Sequence, residues 1–146
     1  MHIMAINTKR WTLAELHSLP NDGNKYELID GELFVTPTPA PRHERILGRL
    51  TRILEPYVEA NAFGCVYHPR SVVRVRDSEV EPDLMVRQEI PKDLTDWAEA
   101  PVPILVVEVI SEFTRRREHV QKRTFYLDAA IAEYWIVDPD ERPFSS

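Results

Sequence analysis

Glu108 stands inside an otherwise aliphatic run, Ile104-Leu105-Val106-Val107-Glu108-Val109-Ile110, with Pro82-Asp83 upstream and Lys122 downstream. An ionised carboxylate taken out of water without compensation is costly, so such a residue meets a cation, a metal ion or a strong hydrogen-bond donor. Glu108 therefore asks for a partner. Asp83 and Lys122 complete a set with a definite chemistry: two carboxylates and a lysine are what metal-assisted phosphodiester hydrolysis requires. The carboxylates supply oxygen ligands for a hard ion such as Mg²⁺, and the lysine supplies positive charge near the attacking water and the developing phosphate charge.

The elements that must carry these residues follow from local patterns. Thr12-Leu13-Ala14-Glu15 has capping-box spacing, with Trp11 and Leu16 placed for a hydrophobic staple, and opens a short helix to about Leu19. Tyr26 to Val35 reads as a hairpin around Asp30-Gly31. Three prolines between Thr36 and Pro41 end it, and Ile46, Leu47, Leu50, Ile53, Leu54, Tyr57 and Val58 repeat at helical spacing, predicting an amphipathic helix over roughly 42 to 60. The β-branched stretch Val66 to Val75 and the run Val80 to Val86 predict two strands paired through a turn near Asp77-Ser78. A polar loop, about Gln88 to Pro103, leads into the Ile104 to Ile110 strand; a helix from Thr114 to about Ala130 and a strand from Glu133 to Asp138 follow. This alternation predicts an α/β sheet with a parallel pair joined by a crossover helix.

Side chains alternate along a strand, so Glu108 shares a face with Val106 and Ile110. From Glu108 to Ser111 the strand advances about 10 Å, and from Arg115 to Lys122 the returning helix recovers about 10 Å. Lys122 comes level with Glu108. Asp83 needs only to sit at the end of the neighbouring strand to bring a second carboxylate to the same ion.

At 146 residues the chain is the size of one domain, with 43% hydrophobic and 29% charged residues, an ordinary globular balance. A net charge of -6 argues against a protein that coats DNA indiscriminately, but not against a nuclease, whose metal-binding carboxylates add negative charge themselves. Cys65 is the only cysteine, so there is no internal disulfide; a reduced, partly buried side chain is expected. The N-terminus lacks a signal-peptide pattern and no stretch approaches transmembrane length, so a cytoplasmic protein with no membrane partner is expected.

Several ordered motifs together carry a family resemblance. Tyr26-Glu27-Leu28-Ile29-Asp30-Gly31-Glu32-Leu33, His43, Pro82-Asp83, Val107-Glu108-Val109-Ile110-Ser111, Thr114-Arg115-Arg116-Arg117-Glu118, Lys122 with Tyr126, and Glu133-Tyr134-Trp135-Ile136-Val137-Asp138-Pro139 closely resemble the Uma family of restriction endonuclease-like proteins. The resemblance spans about residues 11 to 140. It implies the fold of the PD-(D/E)xK nuclease superfamily, a mixed sheet flanked by helices whose active site binds Mg²⁺ or Mn²⁺. It further implies DNA as substrate. Asp83 resembles the motif aspartate and Glu108 the second acidic position, while the superfamily's usual lysine position falls on Ile110; the resemblance then shifts the lysine to Lys122 on the following helix. Ala130-Ile131-Ala132 stands where relatives often have Gly-Val-Pro, and Glu112-Phe113 where they often have Pro-Ser. Relatives usually continue beyond Asp138-Pro139 with further strands, so a single domain is expected here, either C-terminally truncated or a shortened member of the family. Related nucleases often dimerise to cut two strands, and a homodimer is an expectation carried by the resemblance alone.

Each assignment has a plainer alternative. Glu108 pairing with Arg74 or Arg76 is the structural alternative to metal binding, and a solvated Lys122 the alternative to a site lysine. His43 lies in register with Ile46, Leu47 and Leu50 and so faces the sheet, either as a buried hydrogen-bonded histidine or as a supporting site residue. Glu27 and Glu32, at odd separation in the hairpin, are expected on opposite faces, with only one approaching the site. Arg115, Arg116 and Arg117, with His119 and Arg123, are candidates for phosphate contact or for a solvated surface. The functional rivals are a metal-dependent DNA endonuclease, a catalytically silent nucleic-acid-binding or protein-interaction domain of the same fold, and a hydrolase of another phosphoester.

Overall fold

A computed structural model describes residues 9–110 and 116–139, with the side chains of Arg116 and Arg117 outside that description. Arg115 and Glu112-Phe113 therefore lie outside the described residues, as does the N-terminal segment read against a signal peptide.

Helix α1 (Leu13–His17) begins at Thr12, whose hydroxyl accepts from the Glu15 N–H while the Glu15 carboxylate accepts from the Thr12 N–H, completing the expected capping box. Strands β1 (Lys25–Ile29) and β2 (Glu32–Thr36) form the expected hairpin, with Ile29 opposite Glu32 and both turn residues at positive φ (Asp30 46°, Gly31 82°). Helix α2 (Pro41–Ala60) starts on a proline, where the missing N–H is not needed, and buries Leu47, Leu54 and Val58.

The two strands expected between Val66 and Val86 are instead four. They are β3 (Cys65–Tyr67), β4 (Val73–Val75), β5 (Ser78–Val80) and β6 (Leu84–Arg87). Strands β4 and β5 form a hairpin around Arg76-Asp77, one residue earlier than the expected turn, and β5 extends the first sheet in the order β2-β1-β5-β4. Strands β3 and β6 belong to a second sheet. Pro69 and Pro82 sit between the halves of each expected strand, and proline cannot donate to a ladder, so the chain leaves one sheet there and enters the other.

The second sheet has the order β3-β6-β7-β8, with β7 (Leu105–Val109) antiparallel to β6 and parallel to β8 (Glu133–Val137). Helix α3 (Arg116–Asp128) is the crossover between the parallel strands, as expected. Its end keeps helical closure without glycine: Ala130 takes φ 62° and the Ile131 N–H reaches back to the Tyr126 carbonyl at 3.1 Å. This sheet lies between two apolar layers. Leu84, Val86, Leu105, Val107 and Val109 pack with α2, while Met85 and Val106 face Ile29, Phe34 and the α3 residues Phe125 and Tyr126. Glu108 therefore points into the layer shared by the first sheet and α3. Among the described residues no helix is long and apolar enough to cross a membrane. Cys65 is exposed rather than partly buried, because it opens an edge strand.

Candidate active site

The β6/β7 register pairs Leu84 with Val107, and continuing it by one residue sets Asp83 across from Glu108. A direct link fixes that relation: the Val109 N–H donates to Asp83 Oδ2 at 2.8 Å. The carboxylate that precedes β6 is thus tied to the strand that carries Glu108. His43, from the first turn of α2, approaches the same oxygen through Nε2 at 3.3 Å. Lys25 Nζ lies 3.7 Å from Asp83 Oδ1 and donates to the Glu81 carbonyl at 3.2 Å.

Around Glu108 the partners are strong. Lys122 Nζ donates to Glu108 Oε1 at 2.8 Å, the helical return having brought it level with the strand as estimated. The Tyr126 hydroxyl donates to the same oxygen and the Tyr134 hydroxyl to Oε2, each at 3.2 Å. Lys122 also lies 2.9 Å from Glu27 Oε1, an ion pair without good hydrogen-bond direction, while Glu27 Oε2 accepts from the Glu81 N–H at 2.9 Å. Glu27, Glu108 and Lys122 are 1%, 3% and 4% exposed, so the lysine bridges two buried carboxylates.

The hairpin expectation needs correction in its reason. Glu27 pairs with Phe34 and Ile29 with Glu32, and opposed residues share a face, so Glu27 and Glu32 lie on the same face despite their odd separation. A two-residue turn reverses the parity that holds along an unbroken strand. Both meet α3, Glu27 through Lys122 and Glu32 through Gln121 at 2.8 Å, but only Glu27 reaches the Glu108 cluster. Of the two arginines in the structural alternative for Glu108, Arg74 pairs elsewhere, with Glu79 at 2.6 Å and with Asp96 at 3.0 Å, and the cation that Glu108 meets is Lys122. His43 is supported by Asp83 as described, and Glu44 is exposed. His119 approaches the Tyr134 hydroxyl at 3.5 Å, and burial lowers its pKa.

Three residues at the site received no site role from the sequence, although Tyr126 and Tyr134 stand within the motifs that carry the resemblance. Lys25 shares the face of Glu27 by period-two alternation. Tyr126 follows Lys122 by one helical turn, on the same helix face, and Tyr134 stands beside Val106 in the parallel register with β7. Each signal was local; what could not be read was that all three faces meet.

Burial pushes the Asp83 carboxyl up, but the His43 hydrogen bond, Lys25 and the Val109 N–H outweigh it and hold the group below its ordinary pKa. Burial likewise opposes ionisation of Glu27, and Lys122, Lys25 and the Glu81 N–H overcome it. Burial alone favours a neutral Lys122, yet Glu108 and Glu27 raise its pKa, so the amine stays an ammonium. Lys25 is raised in the same way, chiefly by Glu27 against its burial. The hydrogen bond to Asp83 raises His43. Burial, then Glu108, raises both tyrosines, which remain O–H donors.

Asp83, Glu108, His43, Lys25 and Lys122 line one cavity of about 980 Å³. Among the described residues no three His, Cys, Asp or Glu side chains gather as a metal cluster. The donor set still fits Mg²⁺, which takes one or two carboxylates and completes its shell with water and substrate phosphate. Among the described residues, the cation nearest to Asp83 Oδ1 is Lys25 at 3.7 Å, and Glu108 Oε2 accepts one hydrogen bond, which leaves each oxygen with lone pairs for an ion.

The Uma2 family, described as "Putative restriction endonuclease", matches residues 13–145. No curated protein matches the sequence. Among solved structures, the chain is similar to a protein from Anabaena variabilis ATCC 29413 described as "a putative nuclease belonging to DUF820". Their identity is 19%, the match covers 93% of this chain and 82% of that one, and the TM-score is 0.68, a likeness of fold.

Proposed function

The chain belongs to the Uma2 family, and from that premise we propose that it is a nuclease hydrolysing DNA phosphodiester bonds, with Asp83 and Glu108 as ligands for Mg²⁺ or Mn²⁺. The observation that carries this reading is the pairing of two carboxylates from adjacent antiparallel strands, Asp83 bonded to the backbone next to Glu108, at one cavity. When bound, such an ion polarises a phosphoryl oxygen and lowers the pKa of water.

The protein's own groups then have distinct tasks. The Val109 N–H and His43 orient Asp83. Tyr126 and Tyr134 hold the two oxygens of Glu108. Lys122, an ammonium between two carboxylates, supplies charge that favours the ionised form of Glu27 and pairs with Glu108 in a buried layer. That supports a positioning role for the lysine over one that takes a proton from water.

A second reading, a domain of this fold that binds without turnover, is favoured by one observation. The Lys122 amine is engaged by two carboxylates and is not open toward a substrate. Cleavage of plasmid and single-stranded DNA with Mg²⁺ or Mn²⁺ separates the two. The nuclease reading expects metal-dependent products from wild type and none from Asp83→Ala or Glu108→Ala. Activity surviving both substitutions sinks the site assignment, and a chain that neither cleaves nor gains thermal stability from either ion belongs to the second reading.

A further inference from the structure

We propose that Lys25, rather than Lys122, is the cation that touches a substrate phosphate in this site, an inference that rests on a nucleic-acid backbone being the ligand. Both lysines line the cavity. Their availability differs. The Lys122 side chain is 5% exposed; its amine donates to Glu108 at 2.8 Å and forms an ion pair with Glu27 at 2.9 Å. Turning it toward a phosphate would strand two buried anions, a large cost. The Lys25 side chain is 21% exposed, and its one hydrogen bond among the described residues goes to a neutral backbone carbonyl, that of Glu81. Asp83 Oδ1, at 3.7 Å, attracts the amine without accepting a hydrogen bond. Two of its three N–H donors therefore remain for a ligand.

Position and rigidity support the same assignment. Lys25 opens β1, which is paired with β2 along its length and with β5 at Leu28, so its backbone is fixed by the sheet. Its amine sits on the Asp83 side of the cavity, 3.7 Å from that carboxylate, and its side chain is the more exposed of the two, 21% against 9%. A polyanion approaching Asp83, Glu108 and Glu27 needs such an accessible positive group.

The test is the salt dependence of binding to a fluorescein-labelled single-stranded DNA, followed by anisotropy with and without Mg²⁺. Lys25→Met should weaken binding ~10-fold and make the slope of log K against log salt shallower by about 0.7, one phosphate contact fewer. Lys25→Arg should restore most of both. A lysine that only supports the fold would lower the melting temperature without changing the slope, and an unchanged slope in a folded Lys25→Met chain overturns the proposal. Should that variant not fold, the side-chain ¹⁵N resonances of wild type decide. The Lys25 Nζ signal, identified by its loss in Lys25→Arg, should move on titration with the DNA, and a stationary signal overturns the proposal. A wild type that binds but never cleaves sinks the nuclease reading and leaves Lys25 assigned. A wild type that cleaves, with the slope unchanged in Lys25→Met, sinks this inference alone, and one that shows no salt-dependent binding sinks both.

Discussion

Replacing Lys122 with methionine removes the one cation among the described residues that pairs with both Glu27 and Glu108, while roughly keeping the length of the side chain. The two carboxylates are 1% and 3% exposed, so water cannot take the place of the ammonium. Breaking a buried ion pair by deleting one partner costs about 3–5 kcal/mol. The lower end applies, because Glu108 keeps both tyrosine donors and Glu27 keeps the Glu81 N–H. For a domain near this size each kcal/mol corresponds to roughly 2–4 °C in Tm, so the melting temperature should fall by about 6–12 °C. Lys122→Met combined with Glu27→Gln removes one of the stranded charges and should recover about 1 kcal/mol or more of the loss, a coupling expected only between residues in contact. Urea denaturation at neutral pH, with the slope m checked for constancy, measures all three chains. A loss below about 1 kcal/mol for Lys122→Met, or a double variant no more stable than the single one, would refute the buried carboxylate–ammonium–carboxylate bridge as a source of stability.

Other expectations test separate parts of the structure. The folded-state pKa of His43 is raised above its unfolded value, so its bond to Asp83 stabilises fully below about pH 6.5 and the contribution disappears as pH rises through the folded pKa. The metal-free stability difference between wild type and His43→Gln should therefore shrink with rising pH, and a difference that widens contradicts the contact. Tyr126→Phe and Tyr134→Phe each remove a donor to Glu108, at about 1.5–3 kcal/mol for a hydrogen bond to a charged group. The buried Tyr126 should cost more than the half-buried Tyr134, where water can substitute; the reverse order in urea midpoints would discredit that geometry. Gly64→Ala places a Cβ 1.9 Å from the Arg87 carbonyl at φ 119°, and should cost more than ~2 kcal/mol, whereas Gly48→Ala, with open space on α2, should stabilise by about 0.5–1 kcal/mol. Thermal melts of the two alanine variants should move in opposite directions.

Much of this site was legible from the chain alone because its signals are local. A capping box, an Asp-Gly turn, helical spacing from Ile46 to Val58 and an aliphatic strand interrupted by Glu108 each name an element through contacts within a few residues. The need of a buried carboxylate for a partner, with the rise of strand and helix, selected Lys122, and the hydrogen bond at 2.8 Å agrees. The run from Val66 to Val86 read less well, since β propensity marks extended chain without saying which sheet it joins, and four short strands divide between two. Glu27 and Glu32 were misplaced for a related reason: alternation holds along one strand, and a two-residue turn resets it.

Composition and spacing determined the vocabulary of the protein: which stretches form strands or helices, and which carboxylates and which lysine lack an apolar reason to be where they are. Tertiary structure decided how they are shared. It closed Lys122 between Glu27 and Glu108, turned Tyr126 and Tyr134 onto the same carboxylate, and left Lys25 beside Asp83 with donors to spare. Those choices depend on distances across β1, β7, β8 and α3, and a side chain's charge and reach, which sequence reveals, do not specify which of several equally charged neighbours will lie within 3 Å of it.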